Sequence, residues 1–103
     1  MGEVTVRKWA SPGSPTEAAI LRVLDAEGLR AYSWSNGPHD VYAVHEHSYH
    51  KVIYVVDGSI TFTLPDLGKE LLLERGDRLE LPQSIRHGAI VGPHGVTCME
   101  AHL

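Results

Sequence analysis

His45-Glu46-His47-Ser48-Tyr49-His50-Lys51-Val52-Ile53-Tyr54-Val55-Val56-Asp57-Gly58 is the stretch on which the reading of this chain turns. In a strand, successive side chains point to opposite faces. His45 and His47 therefore share a face, and Tyr49, Lys51, Ile53 and Val55 join them if the strand runs unbroken. Two imidazoles side by side on an apolar face make half of a metal site. The stretch ends on Asp57-Gly58, which predicts a hairpin between strands over 51–56 and 60–64, with Ile60, Phe62 and Leu64 alternating against Thr61 and Thr63.

The same alternation recurs on both sides. Strands are predicted over 4–9 (a short edge strand), 29–35 and 40–47, the last with Val41, Ala43, His45 and His47 on one side. A strand over 71–74 is expected to pair with one over 79–81 around Arg75-Gly76-Asp77, and Pro82 ends it. Two more, over 85–91 and 96–101, flank a turn at Gly92-Pro93-His94-Gly95. One helix stands apart, over 15–27. Ser14 is placed to cap it, Pro15 suits its first position, Glu17 completes a capping box, and Gly28 stops it. Ile20, Leu21 and Leu24 give it an apolar stripe that must pack on something. Short strands separated by Gly/Pro turns imply an all-β sandwich or barrel. The expected organisation is a single domain, with residues 1–28 an arm and helix packed on a barrel formed by 29–103.

Composition narrows the function. A chain of 103 residues supports one core. The net charge of -4, with no Lys/Arg run, argues against nucleic acid as a partner. No apolar run is long enough to span a membrane. The first residues lack the apolar segment of a secretory leader, and the single cysteine, Cys98, excludes an internal disulfide framework. A cytoplasmic protein is the expectation.

A partner for the histidine pair lies near the far end. Gly76-Asp77-Arg78-Leu79-Glu80-Leu81-Pro82-Gln83-Ser84-Ile85-Arg86-His87 opens on a glycine turn, runs through a strand to a proline and delivers a histidine. Taken with His45-x-His47, three residues, Lys51, six residues and Gly58, this resembles the two motifs of the cupin superfamily. The resemblance covers roughly residues 30 to 100. It departs from the family pattern at four places. Lys51 stands where the family has its glutamate ligand, and His39 stands near the position of the first motif's opening glycine, with Gly37 close by. Ser84 replaces a turn glycine, and Val91 replaces the final asparagine.

The resemblance implies a small antiparallel jelly-roll barrel with the ligand cavity inside. It implies that His45, His47 and His87 converge there on one divalent transition metal (iron, manganese, nickel, copper or zinc). Three histidines with open positions suit a catalytic or ligand-binding metal better than a structural one. Lys51, inward by parity, cannot donate a lone pair. Three readings are open: it pairs with an anionic group of a substrate, it is held neutral as a catalytic base, or it reaches a carboxylate such as Glu46 or Glu100. His50 substitutes as a ligand only through a bulge, against the register set by Gly58.

Lys51 and Tyr49 are the pocket candidates beside the histidines. Tyr42 and Tyr54 are read as cover for a dimer face, and Trp9 and Trp34 as anchors for the helix or a partner subunit. Either Glu100 or Met99 faces inward. The appended apolar helix and the two tryptophans point to a homodimer. Two function classes follow. One is a metal-dependent enzyme, oxygenase-like or isomerase-like, on a small molecule. The other is a binding or sensing module that holds a small ligand without turnover, possible even without metal.

Overall fold

The computed structural model describes residues 2–103. In chain order the elements are β1 (Thr5–Arg7), α1 (Glu17–Ala26), β2 (Ala31–Asn36), β3 (Val41–His45), β4 (Lys51–Leu64), β5 (Lys69–Glu74), β6 (Arg78–Leu81) and β7 (His87–His102), with a 3₁₀ turn at Pro65–Leu67. All pairings are antiparallel. The path runs β1-β6-β4-β7-β2, with β3 added to β7 and β5 added to β4.

Two long strands carry the architecture. β4 and β7 pair from Lys51↔His102 to Thr63↔Gly88, with register shifts between Val55 and Asp57 and between Gly58 and Ile60. The shifts bend both strands at one level. The first half of β4 and the second half of β7 join β6, β1 and β2. The second half of β4 and the first half of β7 join β5 and β3. The bend folds one strand pair into two sheets whose inner faces meet, an all-β jelly roll.

This corrects three expectations. Asp57-Gly58 is a bulge inside β4 and makes no hairpin. Gly92-Pro93-His94-Gly95 is likewise a bend within a single β7. β5 and β6 do not pair with each other; each pairs with a different half of β4. The glycines are needed at the bend because the strands touch there. A Cβ on Gly58, at φ +77°, would overlap the Gly95 carbonyl oxygen and lie 2.8 Å from its carbonyl carbon. The extra residues also switch parity. Inward residues are Ile53 and Val55 before the bend and Ile60, Phe62 and Leu64 after it. On β7 the switch runs from Ala89 and Val91 to Val96 and Cys98. These residues, with Leu73, Leu79 and Leu81, make the inner core.

A second core lies outside the barrel. Ile20 and Leu24 of α1 pack on Val52, Tyr54, Met99 and Ala101, the outward residues of β4 and β7. The helix is shorter than the expected 15–27, and its cap is Thr16, whose Oγ1 accepts from Ala19 N at 3.1 Å, in place of Ser14. The chain at Ser14 is held otherwise: its carbonyl accepts from Thr16 N, which leaves Glu17 as the first helical residue. Tyr54 is covered by this chain's own Trp9, edge-on at 6.3 Å, and by Arg78, so it covers no dimer face. Arg78 also makes a two-point ion pair with Glu27 at 2.7 and 2.8 Å, which ties the end of α1 to the sheet. No helix among the described residues is long and apolar enough to cross a membrane.

Candidate metal centre

His45, His47 and His87 come together from two loop ends on the inner side of the barrel. β7 delivers His87 as its first residue, paired with His45, the last residue of β3. His47 lies two residues beyond β3. The spacing argument needs one correction. β3 is irregular between Tyr42 and His45, so parity does not run through it. Val41 is exposed, whereas Tyr42 lines the cavity together with His45. Tyr42, read as a dimer-face residue, packs instead edge-on against Trp34 at 6.1 Å and donates to the Asn36 side chain.

The three rings are close, with centroids 4.4 Å apart for His45 and His87, 4.7 Å for His45 and His47, and 5.4 Å for His47 and His87. Each supplies a ring nitrogen, and those atoms lie within 4.8 Å of one another. Two of the rings are oriented by the backbone. His45 Nδ1 lies 2.7 Å from the Ala43 carbonyl oxygen, and His87 Nδ1 lies 2.8 Å from that of Ile85. A carbonyl only accepts, so both Nδ1 atoms carry the proton and both Nε2 lone pairs are free. Outer hydrogen bonds of this kind orient metal-ligating imidazoles. The loop around Ser84 adds support, since Ser84 N donates to the His47 carbonyl at 2.7 Å. Ser84 holds φ +65° and His39 φ +63°. These left-handed positions are the ones where the family motifs carry, or lie next to, glycine.

Burial favours the neutral imidazoles that a metal requires. His87 is 2% exposed, and burial, reinforced by His45 and Lys51, pushes it down to about 4. His47 is lowered by burial and by Lys51. This predicts an acid sensitivity of the metal-free protein. Unfolded His87 takes a proton near pH 6.5, while folded His87 stays neutral to about pH 4. The unfolded state therefore binds more protons in that window, and stability falls as pH drops through it, by about 3 kcal/mol at most. Urea unfolding at pH 7 and pH 4.5 reads this out; equal slopes for the wild type and His87→Gln would refute the assignment.

The histidines form one wall of a cavity of about 360 Å³. Tyr49 lines it, stacked on His47 at 5.0 Å, and Lys51 lies inside with its side chain 12% exposed. Of the carboxylates considered for Lys51, the one within reach is Glu100. Its Nζ lies 3.4 Å from Glu100 Oε2 and 3.5 Å from His47 Nε2. His50 turns away to Glu80 at 3.1 Å, so no bulge brings it to the centre.

Glu100 is the inward residue of the last strand, and Met99 faces the helix. The Glu100 carboxylate accepts from Tyr32 Oη at 2.6 Å and Trp34 Nε1 at 3.0 Å, with His102 Nε2 at 2.7 Å. Burial pushes Glu100 up, but the hydrogen bonds from Tyr32 and His102, together with Lys51, outweigh it and hold it below the ordinary range. Tyr32 and His102 carried no functional reading in the sequence, and Trp34 was read only as an anchor. Tyr32 and Trp34 share a face of β2, but only its pairing with β7, Tyr32↔Glu100 and Trp34↔Cys98, turns that face to Glu100. Trp34 is thus a cavity residue. Burial pushes the Cys98 thiol up to about 12, and it belongs to the inner core.

No protein-family model matches the chain, and no curated relative matches it. Solved structures do. A DUF861 family protein from Thermotoga maritima superposes with a TM-score of 0.69 at 20% identity, over 98% of this chain and 100% of that one. An RmlC-like cupin from Shewanella frigidimarina does so with a TM-score of 0.62 at 27% identity, over 72% and 64% of the two chains. This is a small protein of the cupin fold. A DMSP lyase structure also resembles this cupin, with a TM-score of 0.65 at 26% identity over 72% of its length, and the cupin spans 37% of that chain.

Proposed function

We propose that this cupin holds one divalent transition metal (iron, manganese, nickel, copper or zinc) on His45, His47 and His87 and acts through it on a small molecule. The supporting observation is the meeting of three imidazoles, two with backbone-fixed tautomers, at the wall of a cavity sized for a small ligand. Three neutral nitrogens leave coordination positions open, which suits a catalytic rather than a structural ion. When bound, the metal would supply Lewis-acid polarisation or a site for oxygen. The chain's own residues do the rest: Ile53, Ile60 and Phe62 exclude water from the inner end, and Tyr49 and Lys51 present polar groups to the ligand. The reaction expected is oxygenase- or isomerase-like, and a similar structure, that of a DMSP lyase, a small-molecule enzyme by name, adds lyase-like chemistry to these.

The second reading, a small-ligand binding or sensing module, draws on Glu100. Among the described residues it is the cavity's one carboxylate, and it is engaged by four donors, so none of them lining the cavity offers a free carboxylate base beside the histidines. The test is elemental analysis of tag-free protein before and after loading, then oxygen uptake and product screens over small carbonyl, thiol and phenolic compounds. Metal below stoichiometry after loading, with melting unmoved by chelator, would sink the metal reading. Tight ligand binding without turnover would favour the module.

We also propose a homodimer. The grounds read from the sequence are used up within the chain, since α1, Trp9 and Trp34 all pack on this chain's own residues. Another face takes their place. Val41, Ile90, Thr61 and Leu72 lie in one row across β3, β7, β4 and β5, and the three apolar members are 70%, 51% and 56% exposed. A row of this kind is self-complementary across a two-fold axis. Sedimentation at micromolar concentration should show a dimer that Ile90→Glu converts to monomer; a monomeric wild type refutes it. We place the protein in a reducing compartment such as the cytoplasm on the strength of free Cys98, which fractionation of cells tests.

A further inference from the structure

Lys51 is oddly placed for a residue whose task is to neutralise Glu100. Its link to Glu100, at 3.4 Å, is longer than those from Tyr32, His102 and Trp34, at 2.6, 2.7 and 3.0 Å. A carboxylate offers about four acceptor sites, and three are filled at good distance without Lys51. An ammonium carries three donors. The Lys51 contacts with Glu100 and with His47 Nε2, at 3.4 and 3.5 Å, both lie at the outer limit of hydrogen bonding.

The His47 contact also cannot coexist with a metal held by the same nitrogen. Nε2 has one lone pair, so it either accepts from Lys51 or ligates an ion. Metal loading through that nitrogen frees a Lys51 donor and sets its charge beside a cation. The charge balance points the same way. Among the described residues, Lys51 and Glu100 are the only Lys, Arg, Asp or Glu lining the cavity, and they cancel. Three neutral imidazoles compensate none of a divalent ion's charge, and the position where a glutamate would do so is Lys51 itself. The lining also includes the apolar Ile53, Ile60, Phe62 and Ala89, and against such surfaces an unpaired charge is costly.

From this we infer that Lys51 is an anion-anchoring residue and that the ligand of this cavity is a small carboxylate with a short apolar part. Its carboxylate receives a hydrogen bond from Lys51 Nζ, and its apolar part lies against Ile53, Ile60 and Phe62. This rests on the metal reading above, because the metal frees the lysine and supplies the uncompensated charge.

The test uses the full chain loaded with Co(II), whose visible spectrum reports the histidine site directly. Butyrate is titrated as the probe, with butyramide as its neutral isostere. The wild type takes up one equivalent of Co(II), and butyrate perturbs the spectrum at concentrations at least tenfold lower than butyramide. Lys51→Met weakens butyrate by about tenfold or more, the loss expected for one charged hydrogen bond. It weakens butyramide less, since a neutral amide oxygen makes the weaker hydrogen bond to an ammonium, and retains Co(II). Lys51→Arg keeps butyrate within about threefold of wild type. Full Co(II) uptake with butyrate affinity indifferent to Lys51→Met overturns the inference and leaves the metal reading standing. Absence of a Co(II) spectrum in the wild type overturns both. If Lys51→Met does not fold, the butyrate–butyramide ratio on the wild type and the Lys51→Arg titration decide the matter, and equal affinity for the two probes overturns the inference.

Discussion

Replacing His87 with alanine is expected to lower metal affinity by more than about a hundredfold, beyond what is typical of losing an outer hydrogen-bonding partner. The fold should survive. His87 opens β7 at its rim, next to the cavity, and the imidazole is hydrogen-bonded to the backbone of its own loop. Removing it takes away a ring that burial already holds neutral, so no buried charge is orphaned. Calorimetric titration with zinc, paired with thermal melting of the metal-free protein, separates the two effects. His94→Ala is the control. His94 sits exposed on the bend of β7, outside the cavity, and its loss should leave metal binding as it was. Equal metal affinity for His87→Ala and wild type would remove His87 from the centre.

Gly58→Ala should be the most damaging single-methyl change in the chain. Its left-handed φ of +77° costs a residue with a Cβ about 1–2 kcal/mol. The added carbon also meets backbone atoms of Gly95 and Val96, which cannot swing aside as a side chain would. The bulge must open, and with it the parity switch that places Ile53 and Val55 on the same inner face as Ile60, Phe62 and Leu64. A loss of about 3 kcal/mol or more in urea unfolding is expected, in the range of severe core substitutions. Gly13→Ala is the comparison, because its φ is +79° but nothing lies within 4 Å of the added carbon. If the two variants lose equal stability, backbone conformation alone sets the cost and the close approach of the two strands contributes nothing.

The bend explains what the sequence concealed. Asp57-Gly58 and Gly92-Pro93-His94-Gly95 carry the chemistry of turns, and locally a glycine at positive φ serves a hairpin and a bulge equally well. The two differ in what the following residues pair with, which is a long-range matter. Here both signals face each other across the β4–β7 ladder, so both bend without reversing. The β5–β6 misreading has the same origin: each strand found a different half of β4 as its partner. Tyr42 was misplaced because one irregularity in β3 reverses the parity of the residues before it.

The candidate centre was more legible than the sheet that carries it. His45-x-His47 and the run from Gly76 through Pro82 to His87 are local patterns, and the proximity they imply needs only that β3 and β7 pair. Lys51 showed as an anomaly because spacing names the position even where the residue type departs from the family. Glu100 was one of two choices on its strand, and the donors that hold it were invisible, because the pairing of β2 with β7 leaves no mark on either segment alone.

What the sequence by itself determined is therefore periodic or short in range: strand-rich composition, one amphipathic helix, a pair of histidine motifs, and a lysine where a carboxylate was expected. The tertiary structure decided which turns reverse the chain and which only bend it, which face of β2 meets the cavity, and that Lys51 stands between Glu100 and His47. The physical reason is that side-chain alternation and turn propensity are carried by neighbouring residues. Register and charge pairing arise between segments tens of residues apart, and the close approach of Gly58 to Gly95 exists only once those segments have been brought together.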